Sequence, residues 1–391
     1  MYSSIIFQTI IYFCLNKKRL LMHNKLILLF SLLLFMGCNK APNKAITKAP
    51  KNVILLISDG TGLSQISAAY YYKNTPPNYS RFEHTGLITT HSSREDITDS
   101  AASGTAFASG EKTYNGAVGV LEDSTKVENI VEIASKKGVK TGVVSTSSIT
   151  HATPASFYAH VTDRDFEEQI ALQLLNSEID YFAGGGKKFF QNKMDEINLF
   201  NSKKAKEFHI DTLQISPYES IKSHKKQGFI LSDDGMPKMS EGRGDFLSKA
   251  TMLGVEFLHQ NDTAFFLMSE GSQIDWAGHD NDVNYLISEL IDFDELIGRV
   301  LDFAEQDGET LVVVTSDHET GGFTLAGENY ITNEGKTYSS YKKLEPKFST
   351  GGHSATLVPV FAYGPGAEQF SGVYDNTDIF HKIIQLAGWT Q

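Results

Sequence analysis

Several apolar stretches of this chain end the same way, in a small turn that carries an acid, a hydroxyl or a histidine. Asn52–Ile57 runs into Ser58-Asp59-Gly60, Ala264–Met268 into Ser269-Glu270-Gly271, and Thr310–Thr315 (TLVVVT) into Ser316-Asp317-His318-Glu319. Thr141–Thr146 is followed by His151-Ala152-Thr153-Pro154. Short, continuously apolar runs are what strands covered on both faces look like. Between them lie stretches of helical period, at Leu63–Tyr72, Val127–Lys136, Phe246–Leu258, Val283–Glu305 and Ile379–Leu386. The expectation is an α/β fold with a central, mostly parallel sheet flanked by helices. In such a sheet the strand exits converge on one edge, where these folds place their chemistry.

A second stretch bears on that edge. Ile97–Gly116, ITDSAASGTAFASGEKTYNG, opens with Thr98-Asp99-Ser100 and continues in Ala, Ser and Gly. It reads as a tightly packed helix whose first turn is Ser100-Ala101-Ala102. A helix start offers unpaired backbone N–H groups and the positive end of a dipole, which suit an anion. Ser100 is therefore a candidate nucleophile or anion ligand. The plainer alternative is that Thr98 or Asp99 caps the helix and Ser100 is structural. Arg164, in VTDRDFEEQ before a helix starting near Asp165, either points into the site or pairs with Asp163 or Asp165 on the surface.

Cysteine usage and the N-terminus bear on location. Lys17, Lys18, Arg19 and Lys25 precede the apolar run Leu26–Met36, and Gly37-Cys38 follows. This is the pattern of a lipoprotein secretion signal, cleaved before a Cys38 that receives lipid, with translation starting at Met1 or Met22. A retained membrane anchor is the alternative. Residues 1–38 are expected to be leader, 39–50 a polar tether, and 51–391 a single catalytic domain with insertions at about 187–243 and 320–352. The expected location is periplasmic or cell-surface, lipid-anchored to the outer membrane of a Gram-negative bacterium. Cys14 and Cys38 are the only cysteines, so the body after the leader has no disulfide, cysteine nucleophile or zinc–thiolate site. The formal charge of −12 gives no hint of nucleic-acid binding. An acidic protein that handles an anion needs metals or a few well-placed basic groups.

The candidate metal ligands are Asp59, Thr153, Glu270, Asp275, His279, Asp317, His318 and His353. Asp275 and His279 lie four apart and share a face if their stretch is helical. Imidazole mixed with carboxylate suits zinc, and an all-oxygen set suits magnesium. Spacing alone does not choose among the pairings.

Seven segments together resemble the bacterial and animal alkaline phosphatases over nearly all of residues 51–391. They are LLISDG at Leu55–Gly60, TDSAAS at Thr98–Ser103, KTYNG at Lys112–Gly116, HATPA at His151–Ala155, EGSQID at Glu270–Asp275, TSDHE at Thr315–Glu319 and GGH at Gly351–His353. The resemblance implies a three-layer α/β sandwich, commonly dimeric, that hydrolyses small phosphate monoesters through a phosphoserine on Ser100, with Arg164 clamping the phosphate. It also divides the ligands: Asp275, His279 and His353 hold one Zn2+, Asp317, His318 and Asp59 a second, and Asp59, Glu270 and Thr153 a Mg2+. Two zinc ions about 4 Å apart would neutralise the attacking and departing oxygens.

Two positions depart from the best-known bacterial pattern: His151 stands where those enzymes carry Asp, and Trp276 where they carry Lys. The combination resembles marine bacterial members. His151 could admit zinc to the third site, and loss of the Lys should weaken the hold on product phosphate; Trp276 could equally be packing. The rival readings are a phosphodiesterase or nucleotide pyrophosphatase of the same superfamily and a non-catalytic phosphate- or metal-binding lipoprotein. The joint presence of Arg164, Glu270 and Thr153 favours a monoesterase. No Cys-x-Pro-x-Arg or Ser-x-Pro-x-Arg segment supports a sulfatase.

Overall fold

The computed structural model describes residues 48–192 and 197–390, so the leader and the tether up to residue 47 lie outside the described residues. Among the described residues no helix is long and apolar enough to cross a membrane.

The ten strands of the main sheet are β1 (Asn52–Ser58), β2 (His84–Thr89), β3 (Lys140–Ser148), β4 (Tyr181–Gly185), β5 (His209–Asp211), β6 (Gln227–Ile230), β7 (Phe265–Gly271), β8 (Thr310–Thr315), β9 (Val358–Tyr363) and β10 (Gly372–Asp375). Their spatial order is β10-β2-β9-β8-β1-β7-β3-β4-β6-β5. Only β9 runs against the others: its pairings with β8 and β2 are antiparallel, while β10 is again parallel to β2. The strands with the most continuous apolar sequence take the centre, where β1 pairs in parallel with β8 on one side and β7 on the other.

Side-chain alternation along β1 explains the layers. Val53, Leu55 and Ile57 enter one core cluster, with Phe107, Phe157 and Phe266, while Ile54 and Leu56 enter the other, with Phe293, Leu267 and Val312. All of these are fully buried. Both faces of the strand are thus covered, and each such side chain contributes about 1.5–3 kcal/mol by leaving water. The helices that cover the sheet are α1 (Leu63–Tyr72), α2 (Ser100–Ser109), α3 (Ile130–Lys136), α4 (Glu167–Asn176), α5 (Phe246–Leu258), α6 (Gln273–His279), α7 (Val283–Asp307) and α8 (Thr377–Leu386). The result is a three-layer α/β sandwich.

The two stretches of weak periodicity differ in kind. Within 187–243, β5 and β6 extend the main sheet at one edge. Within 320–352, strands Thr324–Ile331 and Thr337–Lys347 form a separate antiparallel hairpin, with Tyr330, Ile331, Tyr338 and Tyr341 exposed.

Candidate metal centre and serine site

The exits of β1, β3, β7 and β8 do converge. Asp59 follows β1, Glu270 is the penultimate residue of β7, Asp317 and His318 follow β8, and Thr153 lies beyond β3. The turn after β1 is possible only with glycine. Gly60 has φ +73°, and a Cβ there would lie 2.6 Å from Asp275 Cα. That close approach brings α6, and with it Asp275 and His279, against the end of β1.

Three groupings result. Asp59, Asp317 and His318 are buried with one potential ligand atom each lying mutually within 4.8 Å. His279 Nε2 is 3.5 Å from Asp275 Oδ1 and 3.1 Å from His353 Nε2, and His353 Nε2 is 3.6 Å from Asp275 Oδ1. His318 lies between the two, its ring stacked on His353 at 3.5 Å. The third group is known by its bare atoms: Thr153 Oγ1, Glu270 Oε1 and both carboxylate oxygens of Asp59 are buried without a hydrogen-bond partner, as is Asp317 Oδ2. Their companion oxygens are engaged. Glu270 Oε2 accepts from Ser145 and Ser272 at 2.5 and 2.7 Å, and Asp317 Oδ1 accepts from the N–H groups of Gly60 and His318 at 3.2 and 3.0 Å. A buried acceptor left bare costs about 1–3 kcal/mol, and more when charged. Four bare carboxylate oxygens on Asp59, Glu270 and Asp317, residues close enough to act on one another's charge, fit divalent cations, as does the oxygen and imidazole donor set.

The charges agree. Burial, then Asp317 and the other nearby carboxylates, raises the Asp59 pKa well above the usual carboxylate range. Burial also opposes ionisation of Asp317, but His318 outweighs it and holds that carboxyl below the ordinary value. Burial raises Glu270 against its two serine donors. Such a concentration of carboxylates is stable as anions only with cations among them.

Ser100 is the first residue of α2, and its Oγ lies 3.2 Å from His318 Nε2. Asp99 does more than cap the helix. Its Oδ1 accepts from Ala102 N at 2.9 Å, while its Oδ2 accepts from Gly116 N and from Arg164 Nη1, each at 3.0 Å. Arg164 thus turns inward rather than pairing with Asp163 or Asp165, and its other nitrogen lies 3.1 Å from His151 Nε2. An arginine so close makes His151 Nε2 an acceptor; burial first, then the guanidinium, pushes its pKa down to about 3. Trp276 meets the His151 ring edge-on at 6.1 Å and covers Gly235, where a Cβ would lie 2.5 Å from the indole.

Family comparison places the chain. The alkaline phosphatase family's sequence profile matches residues 50–345 and 333–389. This chain belongs to the alkaline phosphatase family. Alkaline phosphatase 4 of Bacillus subtilis is 33% identical, over 89% of this chain and 91% of that protein. Alkaline phosphatase of Escherichia coli is 29% identical, over 87% of each. The crystal structure of the alkaline phosphatase from the Antarctic bacterium TAB5 superposes with a TM-score of 0.85 at 57% identity, covering 88% of this chain and all of that one. A His-to-Asp mutant of that enzyme is described with Mg bound in its M3 site. The chain is accordingly a metal-dependent phosphatase that hydrolyses phosphate monoesters.

Thr320 went unnoticed in the sequence. Its hydroxyl donates to Asp275 Oδ1 and lies 3.1 Å from His318 Nδ1, so one side chain bridges the two histidine-bearing groups and leaves His318 Nε2 facing Ser100. A hydroxyl two residues beyond a histidine is too common a pattern to mark a site. Glu319 is similar: it accepts from Gln65 on α1 at 2.7 Å and from Ser354, next to His353, and so ties that histidine's strand to the β1 exit.

Proposed function

We propose that Ser100 is the nucleophile and that hydrolysis proceeds in two displacements at phosphorus. Ser100 Oγ attacks the phosphoryl group, the bond to the alcohol oxygen breaks and the alcohol leaves with a proton. Water then attacks the phosphoserine, restoring the serine hydroxyl and releasing inorganic phosphate. The observation that carries this is the 3.2 Å approach of Ser100 Oγ to His318 Nε2, beside the bare oxygens of Asp59 and Asp317.

Asp275, His279 and His353 would hold one Zn2+, Asp59, Asp317 and His318 a second, and Asp59, Thr153 and Glu270 a Mg2+, with Zn2+ as the alternative occupant of the third position that His151 would admit. The third-site magnesium is supported by the oxygen-only donors and by the Mg described in the TAB5 mutant. Bound there, the ions supply Lewis-acid stabilisation of the attacking and departing oxygens. The rest falls to the chain. The start of α2 presents backbone N–H groups to a phosphate oxygen. Arg164, held by Asp99 and His151, offers its planar fork to the others, which a lysine could not match.

We further propose a homodimer, lipid-anchored through Cys38 and facing the periplasm or cell surface; the basic stretch, apolar run and Gly37-Cys38 support that location.

The test is acid quench of the enzyme incubated with a phosphate monoester, then mass spectrometry of its peptides. Phosphate should appear on Ser100. Ser100→Ala should abolish the label and lower kcat by on the order of a thousandfold or more, with metal content retained. Label on another residue, or undiminished turnover in that variant, overturns the proposal.

A further inference from the structure

A line of buried polar side chains runs from the surface into the metal centre behind Ser100. Lys112 Nζ donates to Asn376 Oδ1 at 2.7 Å, Asn376 Nδ2 donates to Ser103 Oγ at 3.0 Å, and Ser103 Oγ donates to the backbone oxygen of Asp317 at 2.9 Å. Ser103 and Asn376 are fully buried. The remaining reach of the ammonium goes to His91 O at 2.7 Å and Asp375 Oδ2 at 3.1 Å.

We infer that Asn376, with Lys112 behind it, is a positioning residue for the metal centre: it sets the direction of the Ser103 hydroxyl so that α2 is pinned to the Asp317–His318 turn.

The direction admits one solution. An ammonium only donates, so Asn376 must turn its oxygen toward Lys112 and its NH2 toward Ser103. Ser103 Oγ then accepts, and its single proton is left for the Asp317 carbonyl, which can only accept. Asn376 also gives something up. It stands at the start of α8, where an Asn side chain ordinarily caps the helix, yet it makes no capping bond there. Its side chain is committed to the relay instead. Ser103 sits one turn after Ser100 on α2, so the bond to Asp317 joins the helix bearing the serine to the turn bearing two ligands. With Asp317 O held by Ser103 and Oδ1 by Gly60 and His318, Oδ2 is the atom left facing the cluster.

This inference rests on the assignment of Asp317 and His318 as ligands, and its test does not require Ser100 to be the nucleophile. Asn376→Asp is nearly isosteric, and its carboxylate is paired with Lys112. It reverses the relay: an oxygen now faces Ser103, accepts the hydroxyl's hydrogen bond and leaves Asp317 O without a donor. Ser103→Ala removes the link outright, and Lys112→Met frees the far end should Asn376→Asp not fold. The measurement is Zn2+ release from the Zn2+-loaded protein to a chromophoric chelator, without substrate.

Release should accelerate about tenfold or more in Ser103→Ala and Asn376→Asp, and less in Lys112→Met. The double variant should be no faster than the faster single, because both break the same link. With a monoester, kcat should fall several-fold and KM should hold within about twofold. Unchanged Zn2+ release, or a double variant showing the product of two independent effects, overturns the inference. So does a lowered Tm that is the same with and without metal and comes with wild-type release.

Discussion

The two histidine-bearing groups are close neighbours but are built differently. Asp59, Asp317 and His318 are entirely buried. Three of their oxygens have no hydrogen-bond partner, and their backbone follows directly from the two central strands. Asp275, His279 and His353 form the open side, with the His279 side chain 40% exposed. There the histidines are aimed by backbone carbonyls: His279 Nδ1 faces Gly351 O at 2.7 Å and His353 Nδ1 faces Thr98 O at 2.8 Å, so each presents Nε2. The inner group is charge fixed by the fold with nothing else to bind. The outer group is oriented by loop carbonyls and opens to solvent at His279.

The largest expected effect follows from that contrast. Asp59→Asn removes the one carboxylate of the cluster with both oxygens bare and, on the proposed division of ligands, weakens two cation positions together. It should lower kcat/KM by on the order of a thousandfold, and added Zn2+ should not restore it. His279→Ala leaves two outer ligands and an opening to solvent. It should cost about tenfold to a hundredfold and recover substantially in excess Zn2+. Equal losses, equally rescued, would erase the distinction between the groups.

Protons should report the same asymmetry, with a smaller effect. The raised pKa of Asp59 means that the metal-free protein keeps a proton there at pH values where a free aspartate has lost it. Glu270 and His318 are raised as well, while His353 is lowered, by burial and then by the His318 charge. A cation entering the inner or third group must displace protons, and one entering at His353 need not. Metal affinity should therefore fall as pH falls. Titration of the metal-free protein with Zn2+ in weak buffer should release protons, and Asp59→Asn should release fewer. Affinity independent of pH between about 5 and 8 would contradict this.

What the sequence disclosed divides along the same line between buried and open. Buried parallel strands need uninterrupted apolar residues, so Thr310–Thr315 and Asn52–Ile57 announced β8 and β1 almost residue for residue. The order of strand, Asp-Gly turn and helix announced α1 at Leu63–Tyr72. Edge strands carry no such signal. β5 is His-Ile-Asp and β10 is Gly-Val-Tyr-Asp, and pairing with a neighbour, not side-chain period, makes them strands. No residue of either strand of the 324–347 hairpin is buried, so its sequence reads as polar loop. In the site, the acid, hydroxyl and imidazole residues and their places after strands were visible, but their grouping as metal ligands came from family resemblance. Arg164 was open between surface and site until the fold set it on Asp99. Ser103 lies 214 residues from Asp317 and 273 from Asn376, and hydrogen bonds over such distances leave no local pattern.

The smallest expected effect concerns Trp276, which follows Asp275 yet packs toward His151 and Gly235. Its indole covers Gly235 and stands edge-on to His151, so part of its role is filling space between α6 and the 234–236 loop. An indole cannot place a positive charge, direct or through water, beside a bound phosphate dianion. Trp276→Lys supplies one at a position flanked by His151, which its depressed pKa keeps neutral. The charge would act across water, where such a contact contributes about 1 kcal/mol or less, so inorganic phosphate should inhibit up to about fivefold more tightly. Turnover should slow where product release limits it. Trp276→Phe separates packing from charge: it should leave the phosphate inhibition constant near wild type while lowering stability slightly. If Trp276→Lys also leaves that constant unchanged, the side chain is packing alone, and the open side of the site owes nothing of its grip on phosphate to this position.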